Sequence, residues 1–321
     1  MKRIGILTSG GDAPGENACL RAAVRTALAL GTEVMGIHRG YAGLMEGDME
    51  PLSAPSVGGI SHRGGTFLES SRPPEFKTEE GQRTALRHLN ERAIEGLVVI
   101  GGDGSLTGAL RLHQLGFPVV GVPATIDNDV AFTDVALGVD TALNTVLDAI
   151  DKIKDTASSH QRAFLVEVMG RDSGYLALMG GIAGAAEAIV IPEVETSCEE
   201  LVERVKDAYV RGKAHFIAVV AEGAKPDTQT LAQHLSGREL GFEVRVTILG
   251  HVQRGGSPTA FDRLLATRLG AAAVQQLVEG QKGKMVGLIG NRVVTTDLEK
   301  VLATPKSVDL GFYKLAQMLE R

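Results

Sequence analysis

Only two cysteines occur in the 321 residues, Cys19 and Cys198. They have neither metal-ligand spacing nor the numbers a disulfide framework needs, so reduced thiols are expected. No apolar run approaches the ~18 residues of a membrane span. Met1-Lys2-Arg3 starts as a secretory signal starts, but the apolar stretch behind it ends at Leu7. That is shorter than the ~7–15 residues of a signal core, and a cytoplasmic protein without a membrane partner is expected. Excess positive charge is also lacking: 33 Lys and Arg face 39 Asp and Glu, a net charge of −6. This argues against a nucleic-acid partner, while a locally basic anion pocket stays compatible with it. Low-complexity linkers and fixed-period repeats are absent too.

What is present is a rhythm. Hydrophobic residues make up 44% of the chain, enough for a sizeable core, and the length suits about two domains at roughly 100–200 residues each. Strand-like runs at Ile4–Leu7, Val34–Ile37, Leu97–Ile100, Val119–Val122, Ala163–Val168, Ala188–Ile191, Phe216–Val220 and Val244–Leu249 alternate with helix-like segments. The helices are expected near Asn17–Leu30, Ser105–Leu115, Thr141–Thr156, Cys198–Arg211 and Pro258–Val278. In the third, Leu143, Val146, Leu147, Ile150 and Ile153 recur at helical spacing. Such alternation predicts an α/β protein: two doubly wound, three-layer α/β/α domains with mostly parallel sheets. The rhythm restarts near residue 140, and the helix at 258–278 with a strand at Met285–Ile289 is expected to return to the first domain.

Three short strings carry chemistry, and each follows a strand-like run. Open α/β sheets bind ligands beyond the carboxyl ends of their strands. In Gly101-Gly102-Asp103-Gly104-Ser105, Gly102 and Gly104 let backbone N–H groups approach a phosphate, since no Cβ intervenes. Ser105 is expected to open a helix whose N-terminus favours the same anion. Asp103 suits Mg²⁺ lying between protein and phosphate. Thr8-Ser9-Gly10-Gly11-Asp12-Ala13-Pro14-Gly15 follows the first strand in the same way, with Gly11 N–H a donor to the transferred phosphoryl group. Thr125-Ile126-Asp127-Asn128-Asp129 brings paired carboxylates two residues apart, on one face of an extended segment. One can accept a hydroxyl proton and the other can bind metal or hold a sugar.

Each string has a plainer explanation. A Gly-Gly-Asp-Gly can be a turn with a helix-capping Asp, and an isolated Asp-Asn-Asp is most often a solvated turn. What favours chemistry is position, one strand-helix unit apart at strand ends. Gly102-x-Gly104-x-x-x-Gly108 also resembles a relaxed dinucleotide fingerprint, but the acidic residue expected about 20 positions on is replaced by Gly121-Val122-Pro123-Ala124. No Gly-x-x-x-x-Gly-Lys-[Ser/Thr] occurs, which excludes a P-loop nucleotidase.

Cations able to neutralise phosphate lie in further strings: Arg72 in Ser70–Pro74, Arg162 after Ser158-Ser159-His160-Gln161, Arg171 in Met169-Gly170-Arg171, Arg245, and Arg254 in His251–Ser257. Arginine forks bind phosphate bidentately, so Arg162, Arg245 and Arg254 suit a sugar phosphate. Taken singly, each arginine is more often a surface charge, and His251 more often a hydrogen-bonded structural histidine. Glu222, after a strand and before Gly223, can accept sugar hydroxyls.

Together these strings resemble one family, the bacterial-type ATP-dependent 6-phosphofructokinases. The match runs from residue 3 to about residue 275 and also includes Arg63-Gly64-Gly65-Thr66, Glu167–Arg171 and Leu249–Pro258. The resemblance implies transfer of the ATP γ-phosphate to the 1-hydroxyl of fructose 6-phosphate, with Mg²⁺, in a homotetramer. It implies an ATP-binding domain over 1–138 plus about 252–302, and a sugar-phosphate domain over 139–251 plus about 303–321. By matching position, Asp127 is the base and Asp103 the metal carboxylate. Gly11, Arg72, Pro73, Gly102, Asp103, Gly104 and Ser105 hold ATP, Arg171 steadies the transition-state charge, and Gly11 and Thr125 complete the catalytic set. Thr125, Asp127, Asp129, Met169, Gly170, Arg171, Glu222, His251 and Arg254 shape the sugar site, with Arg162 and Arg245 supplied by a neighbouring subunit.

Relatives that use pyrophosphate carry an aspartate in place of Gly104 and a lysine in place of Ala124. Gly104 leaves room for an α-phosphate and nucleoside, so ATP is expected as donor. Ala124 itself departs from the glycine usual in ATP users. An effector pocket is implied at Arg21, Arg25, Lys154, Glu187, Arg211, Lys213 and His215. Ala54, Gly59 and Ala214 replace the arginine, aspartate and lysine usual there, which predicts blunted or altered effector control. The segment Val130–Val139 also departs from the family string, which bears on how Asp127 is supported. Alternatives are a kinase for another sugar phosphate, such as tagatose 6-phosphate, and a catalytically degenerate regulatory subunit.

Overall fold

The computed structural model describes residues 1–319; residues 320 and 321, the end of the segment expected over 303–321, lie outside the described residues. Two compact units emerge, one of Met1–Thr141 with Arg254–Lys306 and one of Ala142–Gln253 with Ser307–Arg321.

The first unit holds β1 (Arg3–Ser9), α1 (Glu16–Ala29), β2 (Glu33–Ile37), α2 (Gly40–Glu46), β3 (Met49–Leu52), α3 (Glu79–Glu91), β4 (Leu97–Gly101), α4 (Asp103–Gln114) and β5 (Val119–Pro123). α5 (Val139–His160) then runs from the first unit into the second. The second unit continues with β6 (Arg162–Val168), α6 (Tyr175–Ala183), β7 (Ala188–Val190), α7 (Cys198–Val210), β8 (Phe216–Ala221), α8 (Thr228–Ser236) and β9 (Glu243–Ile248). The chain returns to the first unit with α9 (Ala260–Val278), β10 (Lys284–Ile289), β11 (Arg292–Asp297) and α10 (Leu298–Ala303), and ends on α11 (Leu310–Leu319).

Seven strands form the sheet of the first unit in the order β11-β10-β5-β4-β1-β2-β3. The five inner strands run parallel and both edge strands antiparallel. The inner strands are apolar along almost their whole length, as burial on both faces demands: β4 and β5 are buried at every residue. α1 and α9 pack on each other closely enough that a Cβ on Gly270 would come within 2.5 Å of Cys19 O. α2, α3, α4 and α10 share a separate core with Tyr41, Phe76, Leu106, Leu112 and Leu298. The sequence-based helix expected to begin at Ser105 starts two residues earlier, because Gly102 is extended (φ −82°, ψ −167°) and takes the cap position.

The second unit is built on a parallel sheet in the order β7-β8-β6-β9. β8 is buried throughout, whereas β9 lies at the edge with Val246 and Ile248 exposed. Elements without a clear sequence signal are the short or edge ones, α2, β3, α6, α8, β11, α10 and α11, together with α3.

In the large sheet β1 leads outward to β2 on one side, while β4 leads to β5 on the other. The order therefore reverses between β1 and β4, and the crevice beyond their carboxyl ends is where such sheets take ligands. The register Ser9↔Gly101 brings the first two glycine loops to this point, and Gly101↔Pro123 brings the carboxylate loop beside them.

Candidate active site

The first glycine loop is held by its neighbours' polar groups. Thr8 Oγ1 donates to Glu69 O at 2.8 Å and Ser70 Oγ donates to Gly10 O at 2.7 Å. These bonds lay residues 69–72 along the end of β1, and Arg72 arrives at Gly11. So does Arg254, which is 9% exposed and donates to Asp12 O at 3.2 Å. A Cβ on Gly11 would come within 2.6 Å of the Arg254 guanidinium and 2.8 Å of the Arg72 guanidinium. Two arginines thus converge on Gly11, an arrangement that concentrates positive charge suited to an anion. Arg254, expected in the sugar site, lies beside Gly11 and Asp12.

Ser105, expected to hold ATP, has its donors engaged within the protein. Its Oγ donates to Ser9 O at 2.8 Å and its N–H to Gly102 O at 3.0 Å, so both donors serve the protein. Ser105 ties the second glycine loop to the first; Tyr41, not foreseen from sequence, secures it from behind by donating to Ser105 O at 2.7 Å. Asp103 and Gly104, in the first turn of α4, remain exposed. A side chain at Gly104 would meet no protein atom within 4 Å, and its backbone is not left-handed. The space the sequence reserves there is therefore not needed by the fold itself.

The Arg63–Thr66 string is docked on the start of α1. Asn17 Nδ2 donates to Arg63 O and Gly65 O, both at 3.0 Å, and Asn17 Oδ1 accepts from Phe67 N at 2.7 Å. Beside it, Glu16 accepts from Thr66 Oγ1 at 2.9 Å and Ala13 N at 3.1 Å. Burial pushes the Glu16 carboxyl up to about 8, because hydrogen bonds from two neutral groups do not replace lost hydration.

The carboxylate loop does not follow the extended geometry expected for it. Asn128 adopts φ 50°, in the left-handed region that Asn tolerates better than most residues. Alternation between Asp127 and Asp129 therefore fails as a description. Thr125 Oγ1 accepts from Asp127 N at 3.2 Å, and Thr125 N donates to Leu137 O at 3.1 Å. Asp127 is 1% exposed, Thr125 6%, and a Cβ on Gly102 would lie 3.4 Å from Thr125 Cβ. The Asp103 and Asp127 loops are thus neighbours at the ends of adjacent strands.

Among the described residues no three His, Cys, Asp or Glu side chains gather as a metal cage. Mg²⁺ is commonly held by one or two carboxylates plus substrate phosphates. A single exposed carboxylate at Asp103, next to a polyphosphate cradle, fits a metal of that kind.

The second unit collects the other expected residues. Glu222 Oε1 accepts from Gly170 N at 3.2 Å and Arg171 N at 2.6 Å, so it fixes the Met169–Arg171 turn in which Arg171 takes φ 52°. Met169 N donates to Gln253 Oε1 at 3.3 Å; Gln253 is fully buried and was not foreseen, although it lies inside the His251–Ser257 string. Arg162 and Arg245 meet on Glu243, Arg162 at 2.8 Å through Nε. The Arg162 hydrogen bond holds the Glu243 carboxyl below its ordinary range, helped by Arg245. His251 is exposed.

The expected effector residues fall into two groups. Arg21 and Arg25 belong to the first unit. In the second, Lys154 donates to Gly184 O and, at 3.1 Å, to Ala185 O. Lys213 pairs with Glu187 at 3.2 Å, Arg211 with Asp207 at 2.7 Å, and His215 Nδ1 with Ser158 Oγ at 2.8 Å. Glu187 and Arg211 also line a cavity of about 370 Å³ with Arg204 and Phe216. Gly59 has φ 69° and open space around it, a backbone that an aspartate would occupy under strain.

The family model described as Phosphofructokinase matches residues 3–277. The chain belongs to the phosphofructokinase family. It is 55% identical over 320 residues to the ATP-dependent 6-phosphofructokinase of Thermotoga neapolitana, covering 99% of this chain and 100% of that one. Identity to the protein of the same name from Halalkalibacterium halodurans is also 55%, over 99% of both chains. Among solved phosphofructokinase structures, that from Saccharomyces cerevisiae superposes with a TM-score of 0.87 at 36% identity. It covers 100% of this chain, which spans 47% of the yeast chain. The fold is also that of the pyrophosphate-dependent phosphofructokinase of Marinobacter aquaeolei, with a TM-score of 0.86 over 97% of this chain and 86% of that one, at 24% identity. The two-unit α/β architecture is therefore that of the family, and no helix among the described residues is long and apolar enough to cross a membrane.

Proposed function

We propose that this phosphofructokinase family member transfers the γ-phosphate of ATP to the 1-hydroxyl of fructose 6-phosphate, giving ADP and fructose 1,6-bisphosphate. The observation that carries this reading is the juxtaposition of Asp103, on its phosphate cradle, with buried Asp127 at the ends of neighbouring strands. The names of relatives 55% identical over nearly the whole chain support the same donor and acceptor. Exposed Gly104, with no side chain to meet an incoming ligand, supports ATP over pyrophosphate.

In this mechanism Asp127 accepts the proton of the sugar 1-hydroxyl as its oxygen attacks the γ-phosphorus. The bond from the γ-phosphorus to the bridging oxygen breaks, and ADP leaves with that oxygen. Gly11 N–H, with the Arg72 and Arg254 guanidiniums beside it, binds the transferring group, and Arg171 offsets charge building on its equatorial oxygens. Mg²⁺ held by Asp103 would neutralise the polyphosphate charge. Thr125 fixes the turn of the base, while Asp129, the Met169–Arg171 turn and His251 orient the sugar. Glu222 contributes by holding that turn.

Arg162 and Arg245 are assigned to the sugar 6-phosphate of a neighbouring subunit in a homotetramer. Their pairing on Glu243 at the exposed edge strand β9, beside exposed Val246 and Ile248, supports that assignment. The first unit is assigned as the ATP-binding domain and the second as the sugar-phosphate domain, and Lys154, Glu187, Arg211, Lys213 and His215 of one subunit are assigned, with Arg21 and Arg25 of a neighbouring subunit, to an effector site of reduced charge. A coupled ADP-release assay on purified protein, with fructose 6-phosphate and tagatose 6-phosphate in parallel, tests the reading. Turnover confined to tagatose 6-phosphate, or absent with both, refutes it.

A further inference from the structure

Lys306 is the last residue of the first unit, in a Thr304-Pro305-Lys306-Ser307 string that carries no motif. Its half-buried side chain is spent on one loop. Nζ donates to Asn128 Oδ1 at 2.9 Å, Thr133 O at 2.8 Å and Asp134 O at 3.1 Å. Three acceptors match the three donors of an ammonium. Burial pushes Lys306 down to about 8, against the opposing pull of Asp134 and Asp129. A fold that needed only a fastener has less costly groups than a desolvated ammonium.

The bonds fall where the carboxylate loop is least regular. Asn128, left-handed between Asp127 and Asp129, has its Oδ1 shared by Lys306 and Ala136 N (3.1 Å), while its Nδ2 donates to Asp134 O at 3.1 Å. The far side of the loop is anchored to the end of β10. Asp134 N donates to Leu288 O at 2.7 Å, Leu288 N to Thr133 Oγ1 at 3.0 Å, and Gly290 N to Asp134 Oδ2 at 2.7 Å. Lys306 is the brace between that anchored side and Asn128. Two of the groups it holds, Thr133 O and Asp134 O, lie in Val130–Val139, where the sequence departs from the family string.

We propose that Lys306 is a positioning residue for phosphoryl transfer, pinning Asn128 and thereby the backbone that carries the Asp127 base. The proposal rests on Asp127 being that base. Its effect belongs on kcat, because reacting groups displaced by about 1 Å can lose roughly 100-fold in rate, while the ATP cradle at Gly11 and Gly102 makes no bond to Lys306.

Lys306→Met, which removes all three donors, is assayed with fructose 6-phosphate and ATP beside the parent, Lys306→Arg and Asp127→Ser. Amide exchange of peptides covering 126–137 is followed by mass spectrometry. Expected for Lys306→Met are a kcat lowered about 10- to 100-fold, a KM for ATP within about threefold, and faster exchange confined to 126–137. Lys306→Arg, which keeps donors and charge, recovers part of the kcat. A kcat within about threefold of the parent overturns the proposal, as does unchanged exchange in 126–137 or an equal rise in both KM values at constant kcat. If Lys306→Met does not fold, Lys306→Gln is judged by the same criteria. Asp127→Ser separates the two layers: undiminished turnover there removes the base, whereas its collapse beside an indifferent Lys306→Met removes only this proposal.

Discussion

Replacing Gly104 by Asp separates what the fold needs from what the ligand needs. Gly104 is the second residue of α4, exposed, with no protein heavy atom within 4 Å of a Cβ built on it. An added side chain costs no packing. An acid in the first turn of a helix is favourable by about 0.3–1 kcal/mol, and leaving glycine recovers roughly 0.5 kcal/mol of backbone entropy; neighbouring Asp103 offsets part of both. Stability is therefore expected to stay level or rise slightly.

Binding of ATP should respond in the opposite sense. A carboxylate about 4 Å from a phosphate oxygen, at an effective dielectric of about 20, repels it by about 4 kcal/mol. Exposure and salt screening reduce that, which leaves an expected fall of about 100- to 1,000-fold in kcat/KM for ATP. Gly104→Asn, nearly the same size without the charge, should lose much less. Thermal unfolding and a coupled ADP-release assay read the two effects on the same preparations. Gly104→Asp with ATP kinetics within about threefold of the parent, or with a melting temperature several degrees lower, would refute the reasoning.

Asp127→Ser is expected to lower kcat by about 100-fold or more while calorimetry shows fructose 6-phosphate binding nearly unchanged; loss of binding in step with kcat contradicts the base assignment. Glu16, raised from 4.5 to about 8 by burial, binds more protons folded than unfolded across that window. Its contribution is present below about pH 4.5 and is lost as pH rises toward about 8, a decline of up to a few kcal/mol. Glu16→Gln should flatten the melting temperature between pH 5 and 8 relative to the parent, and parallel curves would show that Glu16 does not titrate there. Tyr41→Phe strands Ser105 O behind the phosphate loop, at a cost of about 1–3 kcal/mol; denaturant curves superposing on the parent would show that bond to be dispensable. With Ala54, Gly59 and Ala214 in the effector region, low-millimolar nucleoside diphosphate or phosphoenolpyruvate should move half-saturation by fructose 6-phosphate less than about twofold, since each missing charge-assisted contact is worth about 1.5–3 kcal/mol. A tenfold shift would restore the effector site to full strength.

Local chemistry was enough to read the buried strands and the glycine-rich loops that follow them. Runs such as Leu97–Ile100 and Phe216–Val220, short, rich in Val and Ile and followed by glycine or a turn, read as strands covered on both faces. β11 escaped because exposure at the sheet edge removes the apolar pattern, and α2 because seven residues that include Gly40 and Gly43 are too few to show a helical period, although Tyr41 and Leu44 are buried. Asp127 and Asp129 were found by residue type, but their geometry was misjudged, since Asn128 turns left-handed only when bonded to residues 134, 136 and 306. Arg254 reaches Gly11 from 243 positions away, and Ser105 spends its hydroxyl on Ser9. Sequence supplies the groups and the strand ends on which they ride. Which group spends its hydrogen bonds on a ligand and which on the protein is decided by partners distant along the chain, and only the folded packing brings those together.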